Sequence, residues 1–138
     1  MIPIFSPHIS SKAKKNVNKA LNSNWISSQG RYVSELEKKI KNYHKMKYCL
    51  VTSSCTSALH LSLLSFGFKK GDEILCPSLS FIAPGNMILL SNFKIVFVDI
   101  DKNTLNIDVN RIENKITRKT KAILFVNQFG HSADIEKL

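Results

Sequence analysis

Three short runs carry apolar side chains at consecutive positions: Ile74-Leu75-Cys76, Ile95-Val96-Phe97-Val98 and Ala122-Ile123-Leu124-Phe125-Val126. A strand with one face in water alternates apolar and polar residues. A strand without alternation has both faces covered, as in parallel sheets. A fourth run, Tyr48-Cys49-Leu50-Val51 within residues 47–52, reads the same way and predicts a further buried strand. Stretches of helical spacing separate the runs, so strands and helices alternate. The expected class is therefore α/β: a mostly parallel sheet with helices on both faces.

The helical stretches are legible from their spacing. Residues 11–22 place Ala13, Val17, Ala20 and Leu21 on one face, with Ser10 or Ser11 as cap. Residues 32–44 repeat apolar positions at Val33, Leu36, Ile40 and Tyr43. A helix over 57–66 ends near Gly67, a short one is expected over 85–92, and one from Asp108 to Lys115 takes Asp108 as its cap. Another helix is expected to start at Asp134. Residues 23–30, S-N-W-I-S-S-Q-G, read as a turn holding the single tryptophan, Trp25. With 138 residues and no repeat, low-complexity segment or linker, the chain reads as one domain.

Charge raises one functional class. The net charge is +10, with 20 Lys+Arg against 10 Asp+Glu, so nucleic-acid binding has to be considered. The basic residues are scattered over the polar faces of amphipathic stretches. Only Arg31, Arg111 and Arg118 among them are arginine, the residue that reads bases bidentately. No nucleic-acid partner is expected. No apolar window approaches bilayer length, and Met1–His8 lacks the pattern of a signal peptide, so no membrane association and a cytoplasmic location are expected. Cys49, Cys55 and Cys76 form no metal-ligand spacing, nor do His8, His44, His60 and His131; Cys49 and Cys76 read as small buried hydrophobes.

In parallel α/β sheets ligands bind in loops beyond the carboxyl ends of the strands. Three such loops are expected, at Thr52–Ser57, Pro77–Asn86 and Asn127–His131. The first reads T-S-S-C-T-S: small, hydroxyl-rich, and placed where a strand turns into a helix. The first turn of a helix presents unpaired N–H groups and the positive end of the dipole, which stabilise a phosphate, and hydroxyls add donors. Ordinary N-capping by Ser54 or Thr56 accounts for the same residues without a ligand. In the second loop, Phe81 can stack on a flat heteroaromatic ring or pack into the core. His131 stands in the third loop and can approach a ligand there.

Five ordered blocks now carry a resemblance. They are W-I-S-S-Q-G, S-C-T-S-A-L-H-L, G-D-E-I-L-C-P-S-L-S-F-I-A-P-G-N, F-V-D-I-D-K-N-T-L-N-I-D, and K-T-K-A-I-L-F-V with F-G-H-S-A-D. From Ile4 to Leu138 the chain resembles the DegT/DnrJ/EryC1/StrS family of pyridoxal-phosphate-dependent sugar aminotransferases. The resemblance implies the start of the large domain of a fold type I, aspartate-aminotransferase-like enzyme, with residues 1–138 as its N-terminal portion. It implies pyridoxal 5'-phosphate as cofactor, held at the phosphate by Thr56 and Ser57 and stacked by Phe81. Cys55 stands where the family more often has glycine. Trp25 resembles part of an N-terminal arm close to the sugar, and His131 is a second candidate for the substrate. Asn86 matches a recurring asparagine to which no role is assigned.

The implied reaction moves an amino group, with glutamate as donor, to a keto-deoxysugar linked to a nucleotide, for surface polysaccharide or related amino-sugar synthesis. It needs a Schiff-base lysine and a carboxylate at the pyridine nitrogen. In the family both follow the point where this sequence stops. No lysine here stands in a matching context, so no catalytic residue is assigned. The expectation is a fragment whose C-terminal domain is absent and which is inactive alone, from a protein that is a homodimer at full length. Two other readings remain. One is a sugar dehydratase of the same family, in which a histidine replaces that lysine. The other is a non-catalytic remnant that binds a phosphate or a partner.

Overall fold

The computed structural model describes residues 6–138; Met1–Phe5, which include the first residues of the leader reading and Ile4 of the resemblance, lie outside them. The chain forms two units, Met1–Val51 and Thr52–Leu138.

The first unit holds α1 (Ser11–Asn22) and α2 (Arg31–Tyr43). Ser10 caps α1, its hydroxyl accepting from the Ala13 N–H at 3.2 Å. Gly30 precedes α2. A Cβ there would come within 3.1 Å of Trp25 Cδ1 and 3.2 Å of the Ser27 carbonyl, so any larger residue would push these neighbours back by a few tenths of an ångström. Both helices keep the expected apolar stripes, yet neither buries a residue: Val17, Leu21, Leu36 and Ile40 are all exposed.

Residues 47–52 form no strand, which corrects the expectation of a buried one. Tyr48 and Leu50 are exposed and Cys49 is only half-buried. A strand exists only where a neighbouring strand takes up its N–H and C=O groups, and among the described residues no strand pairs with this run, whose Val51 N–H goes instead to Glu37 Oε1 at 3.0 Å. Apolar composition alone cannot supply that partner. The loop Thr52–Ser57 therefore does not follow a sheet strand in this structure.

The second unit contains α3 (Cys55–Ser65), β1 (Glu73–Pro77), α4 (Ala83–Leu90), β2 (Lys94–Val98) and β3 (Thr120–Ile123). Gly67, at φ +67°, turns the chain out of α3. The sheet has the order β2-β1-β3 and both pairings are parallel, as the continuous apolar runs require. Leu75 lies between Val96 and Ile123. Pro77 ends β1 without an N–H to give, and the Ser78 N–H resumes the ladder to the Val98 carbonyl at 2.8 Å.

Alternation along β1 divides the core in two. Ile74 and Cys76 face Leu63 of α3, Ile88 of α4 and Phe93. Leu75 faces the other way, with Val98, Ile107, Ile112 and Ala133. That second face is covered by irregular chain and by two 3-10 turns, Val109–Arg111 and Glu113–Lys115, instead of the α-helix expected over Asp108–Lys115. Asp108 does cap the segment, accepting from the Asn110 N–H at 3.0 Å. Only Ile112 is buried there, and asparagines at 110 and 114 compete with α-helical bonding, so the turns close i→i+3. β3 is shorter than the apolar run 121–126, and only turns follow Asp134.

Glu73 is the buried charge of this unit. Its carboxylate accepts from Thr117 Oγ1 at 2.6 Å and from Lys94 Nζ at 2.9 Å. The Thr117 hydroxyl, then Lys94, hold its carboxyl below the ordinary 4.5. A depressed carboxyl contributes stability above the unfolded value, and that contribution is lost as pH falls through the folded one. Glu73→Gln is therefore expected to lose stability against the parent chain at neutral pH, with the gap closing below pH 4.5. Denaturation midpoints followed by circular dichroism across pH test this; a gap independent of pH would refute it.

Candidate functional site

The hydroxyl-rich turn is the amino end of α3. Ser54 is the cap: its Oγ accepts from the Ser57 N–H at 3.2 Å and lies 3.1 Å from Ser57 Oγ. Ser53 Oγ lies 3.5 Å from the same Ser57 Oγ, and Thr52 Oγ1 donates to the Ser54 carbonyl at 2.9 Å. The first i→i−4 bond runs from Ala58 to Ser54, so the N–H groups of Cys55 and Thr56 stand at the open end of the helix. Thr56 is half-buried and Ser57 exposed. The capping and anion-binding readings thus meet in one turn: Ser54 closes the Ser57 N–H and pairs with the Ser57 hydroxyl, while the N–H groups of Cys55 and Thr56, with the Thr56 hydroxyl, remain open to an anion. The helix dipole reinforces the preference for negative charge.

Phe81 lies between the end of β1 and the start of α4, in the same unit. It is 78% exposed, which removes the core reading and leaves its ring face open. Ser80 Oγ donates to the Phe81 carbonyl at 2.9 Å. Asn86 sits on α4, its N–H donating to Ile82. Cys76, at the end of the same strand, is buried, and burial pushes its thiol up to about 11. It therefore stays a neutral core thiol near pH 7.

His131 is exposed on the segment after β3. With Asp101, Asn106, Asp108 and Lys137 it lines a cavity of about 220 Å³. The Asp101 carboxylate accepts from the Thr104 and Asn103 N–H groups at 3.0 and 2.8 Å, which lowers its pKa. Trp25 belongs to the other unit, where it lines a separate hollow with Gln29, Arg31 and Tyr32; Arg31 lies 5.3 Å from the Tyr32 ring centre.

Two residues outside the sequence-based candidates organise the strand-end loops. Asn106 is 2% exposed; its side chain accepts from the Gln128 N–H at 2.9 Å and donates to the His131 carbonyl at 3.0 Å. Gln128 Nε2 donates to the Leu79 carbonyl at 3.2 Å, beside Phe81. Asn106 stood inside one of the recognised blocks and Gln128 in the expected loop Asn127–His131, but nothing local marks Asn106 as a tie, because its partners lie more than twenty residues away. Among the described residues no group of three His, Cys, Asp or Glu could hold a metal, and no helix is long and apolar enough to cross a membrane.

GDP-perosamine synthase of Escherichia coli O157:H7 is 42% identical over 137 residues, 99% of this chain and 38% of that protein. UDP-4-amino-4-deoxy-L-arabinose--oxoglutarate aminotransferase of Shewanella sediminis is 36% identical over 99% of this chain and 35% of its own length. Among solved structures, E. coli GDP-4-keto-6-deoxy-D-mannose-3-dehydratase with bound hydrated PLP superposes with a TM-score of 0.89 at 31% identity, over 98% of this chain and 36% of that one. The chain thus spans well under half the length of each, and its α/β fold with a small parallel sheet is that of the PLP aminotransferase-type structures. Residues 7–138 match the DegT/DnrJ/EryC1/StrS aminotransferase family, and the chain belongs to that family.

Proposed function

We propose that this chain is the N-terminal part of the cofactor-binding domain of a pyridoxal-phosphate-dependent sugar aminotransferase. The observation that carries the reading is the amino end of α3, where the open N–H groups of Cys55 and Thr56 stand among the hydroxyls of Thr56 and Ser57, in the unit that also exposes the Phe81 ring. A phosphate fits that donor set. Thr56 would hold it through N–H and hydroxyl and Ser57 through its hydroxyl, with the Cys55 N–H beside them and Ser54 fixing the turn through the Ser57 N–H, and Phe81 would offer its ring face to the pyridine. When bound, the cofactor supplies an electron sink for proton transfer at the amino-bearing carbon. This chain's contribution is to bind and orient it; the lysine and carboxylate of the reaction are not assigned to any residue here.

The substrate proposed is a GDP-linked 4-keto-6-deoxyhexose, and the donor glutamate. The names of the E. coli synthase and dehydratase support the sugar, and the oxoglutarate in the Shewanella enzyme's name supports the donor. A nucleotide-linked substrate is consistent with a cytoplasmic enzyme. Trp25 and His131 are proposed to face the sugar, in a homodimer. A second reading, a sugar dehydratase, is favoured by the close superposition on that enzyme.

The test uses the full-length gene product. Bound cofactor is read by visible absorbance, and products from the GDP-keto sugar and glutamate by mass spectrometry. A sugar that has gained an amino group is the expected result. Loss of a hydroxyl without retained nitrogen would replace the aminotransferase by the dehydratase. No bound cofactor and no product would refute both.

A further inference from the structure

We propose that Asn106 is a positioning residue that locks the three strand-end loops into one unit and so holds the Phe81 loop against the cofactor; this rests on the function proposed above. Asn106 belongs to the segment after β2, joined there by the bridge between Ile100 and Ile107. Its backbone is fixed on both sides: the Asp101 N–H donates to its carbonyl at 2.9 Å, and its own N–H donates to Thr104 Oγ1 at 3.3 Å. The side-chain amide then reaches the loop after β3, accepting from Gln128 and donating to His131. A single planar group must do both, which only an amide in this orientation allows.

The loop it grips needs an external hold. Phe129 and Gly130 take consecutive left-handed conformations, φ +51° and +79°, and Phe129 is exposed and gains nothing from packing. A non-glycine residue there is strained and persists only where its surroundings over-determine it. The bond from the His131 N–H to the Gln128 carbonyl at 2.9 Å closes the turn, and Asn106 clamps both of its ends. From that fixed turn, Gln128 Nε2 spans to the Leu79 carbonyl, two residues before Phe81. The chain of contacts runs from the segment after β2, through the loop after β3, to the loop after β1.

Asn106→Asp keeps the acceptor but sets a carboxylate oxygen against the His131 carbonyl. Gln128→Leu cuts only the tie to Leu79. Both are compared with the parent full-length protein by hydrogen–deuterium exchange and by pyridoxal phosphate affinity. Asn106→Asp is expected to raise exchange about tenfold in segments 78–82 and 124–131, while β1 and β2 stay protected, and to weaken the cofactor about tenfold. Gln128→Leu should reproduce the effect at 78–82 alone. The double variant should be no worse there than Asn106→Asp, because both act through one tie. Unchanged exchange at 78–82 in Asn106→Asp would overturn the proposal, and so would equal loss of protection in β1 and β2. Raised exchange in both loops in a protein that binds no cofactor would remove the function proposed above and leave the loop coupling standing.

Discussion

Leu75→Ala is expected to cost the chain about 3 kcal/mol of unfolding free energy, the mid-range for a leucine removed from a closed core. Leu75 is fully buried on the central strand, flanked in register by Val96 and Ile123, and its side chain meets Val98, Ile107, Ile112 and Ala133. A void there cannot be filled cheaply. β1 is held on both edges by parallel ladders, and the covering face is 3-10 turns tied by Asp108 and Ile112, not a helix free to slide inward. Leu90→Ala, at an exposed position of α4, is the control and should cost about 0.5 kcal/mol or less. Denaturant midpoints followed by far-UV circular dichroism measure both. Equal costs at the two positions would mean that Leu75 does not anchor the second core.

The other large effect is expected at the amino end of α3. Ser57→Asp should weaken pyridoxal phosphate binding by the full-length protein about 100-fold, and Ser57→Ala about tenfold. A hydrogen bond to a charged group contributes ~1.5–3 kcal/mol, a factor of about 10 to 100 in affinity. The aspartate removes the donor and adds repulsion to a dianion. It leaves the helix intact, because a carboxylate in the first turn complements the dipole and the backbone N–H of residue 57 still donates to the Ser54 cap, now at 3.2 Å. Fluorescence titration gives the affinities, and an unchanged far-UV spectrum shows that α3 survives. Parent-like affinity in Ser57→Asp would place the phosphate elsewhere.

Local chemistry made much of this legible in advance. The spacing Ala13, Val17, Ala20, Leu21 and a serine cap placed α1 to the residue, and the unbroken apolar run at 95–98 placed β2 within one residue. The hydroxyls before α3 announced both a cap and an anion site; Ser54 does the first, and the open N–H groups of Cys55 and Thr56 are where the second is proposed. These features depend on neighbours within about one helical turn, which a sequence displays directly. The family membership followed from blocks in order, each too short to identify anything alone.

What the sequence by itself determined is therefore the parallel α/β character, the helices with their caps, and the donor-rich turn, because side-chain size, periodicity and capping act over a few residues. What only the tertiary structure decided is which runs find partners. Tyr48–Val51 is as apolar as β1 but stays unpaired, and 109–115 is capped like an α-helix but closes as 3-10 turns around one buried isoleucine. Asn106 is polar and sits among turn residues, yet it is buried and joins the segment after β2 to the loop after β3. Strand pairing and buried amide contacts are set by groups distant along the chain, and their energies exist only once those groups have been brought together.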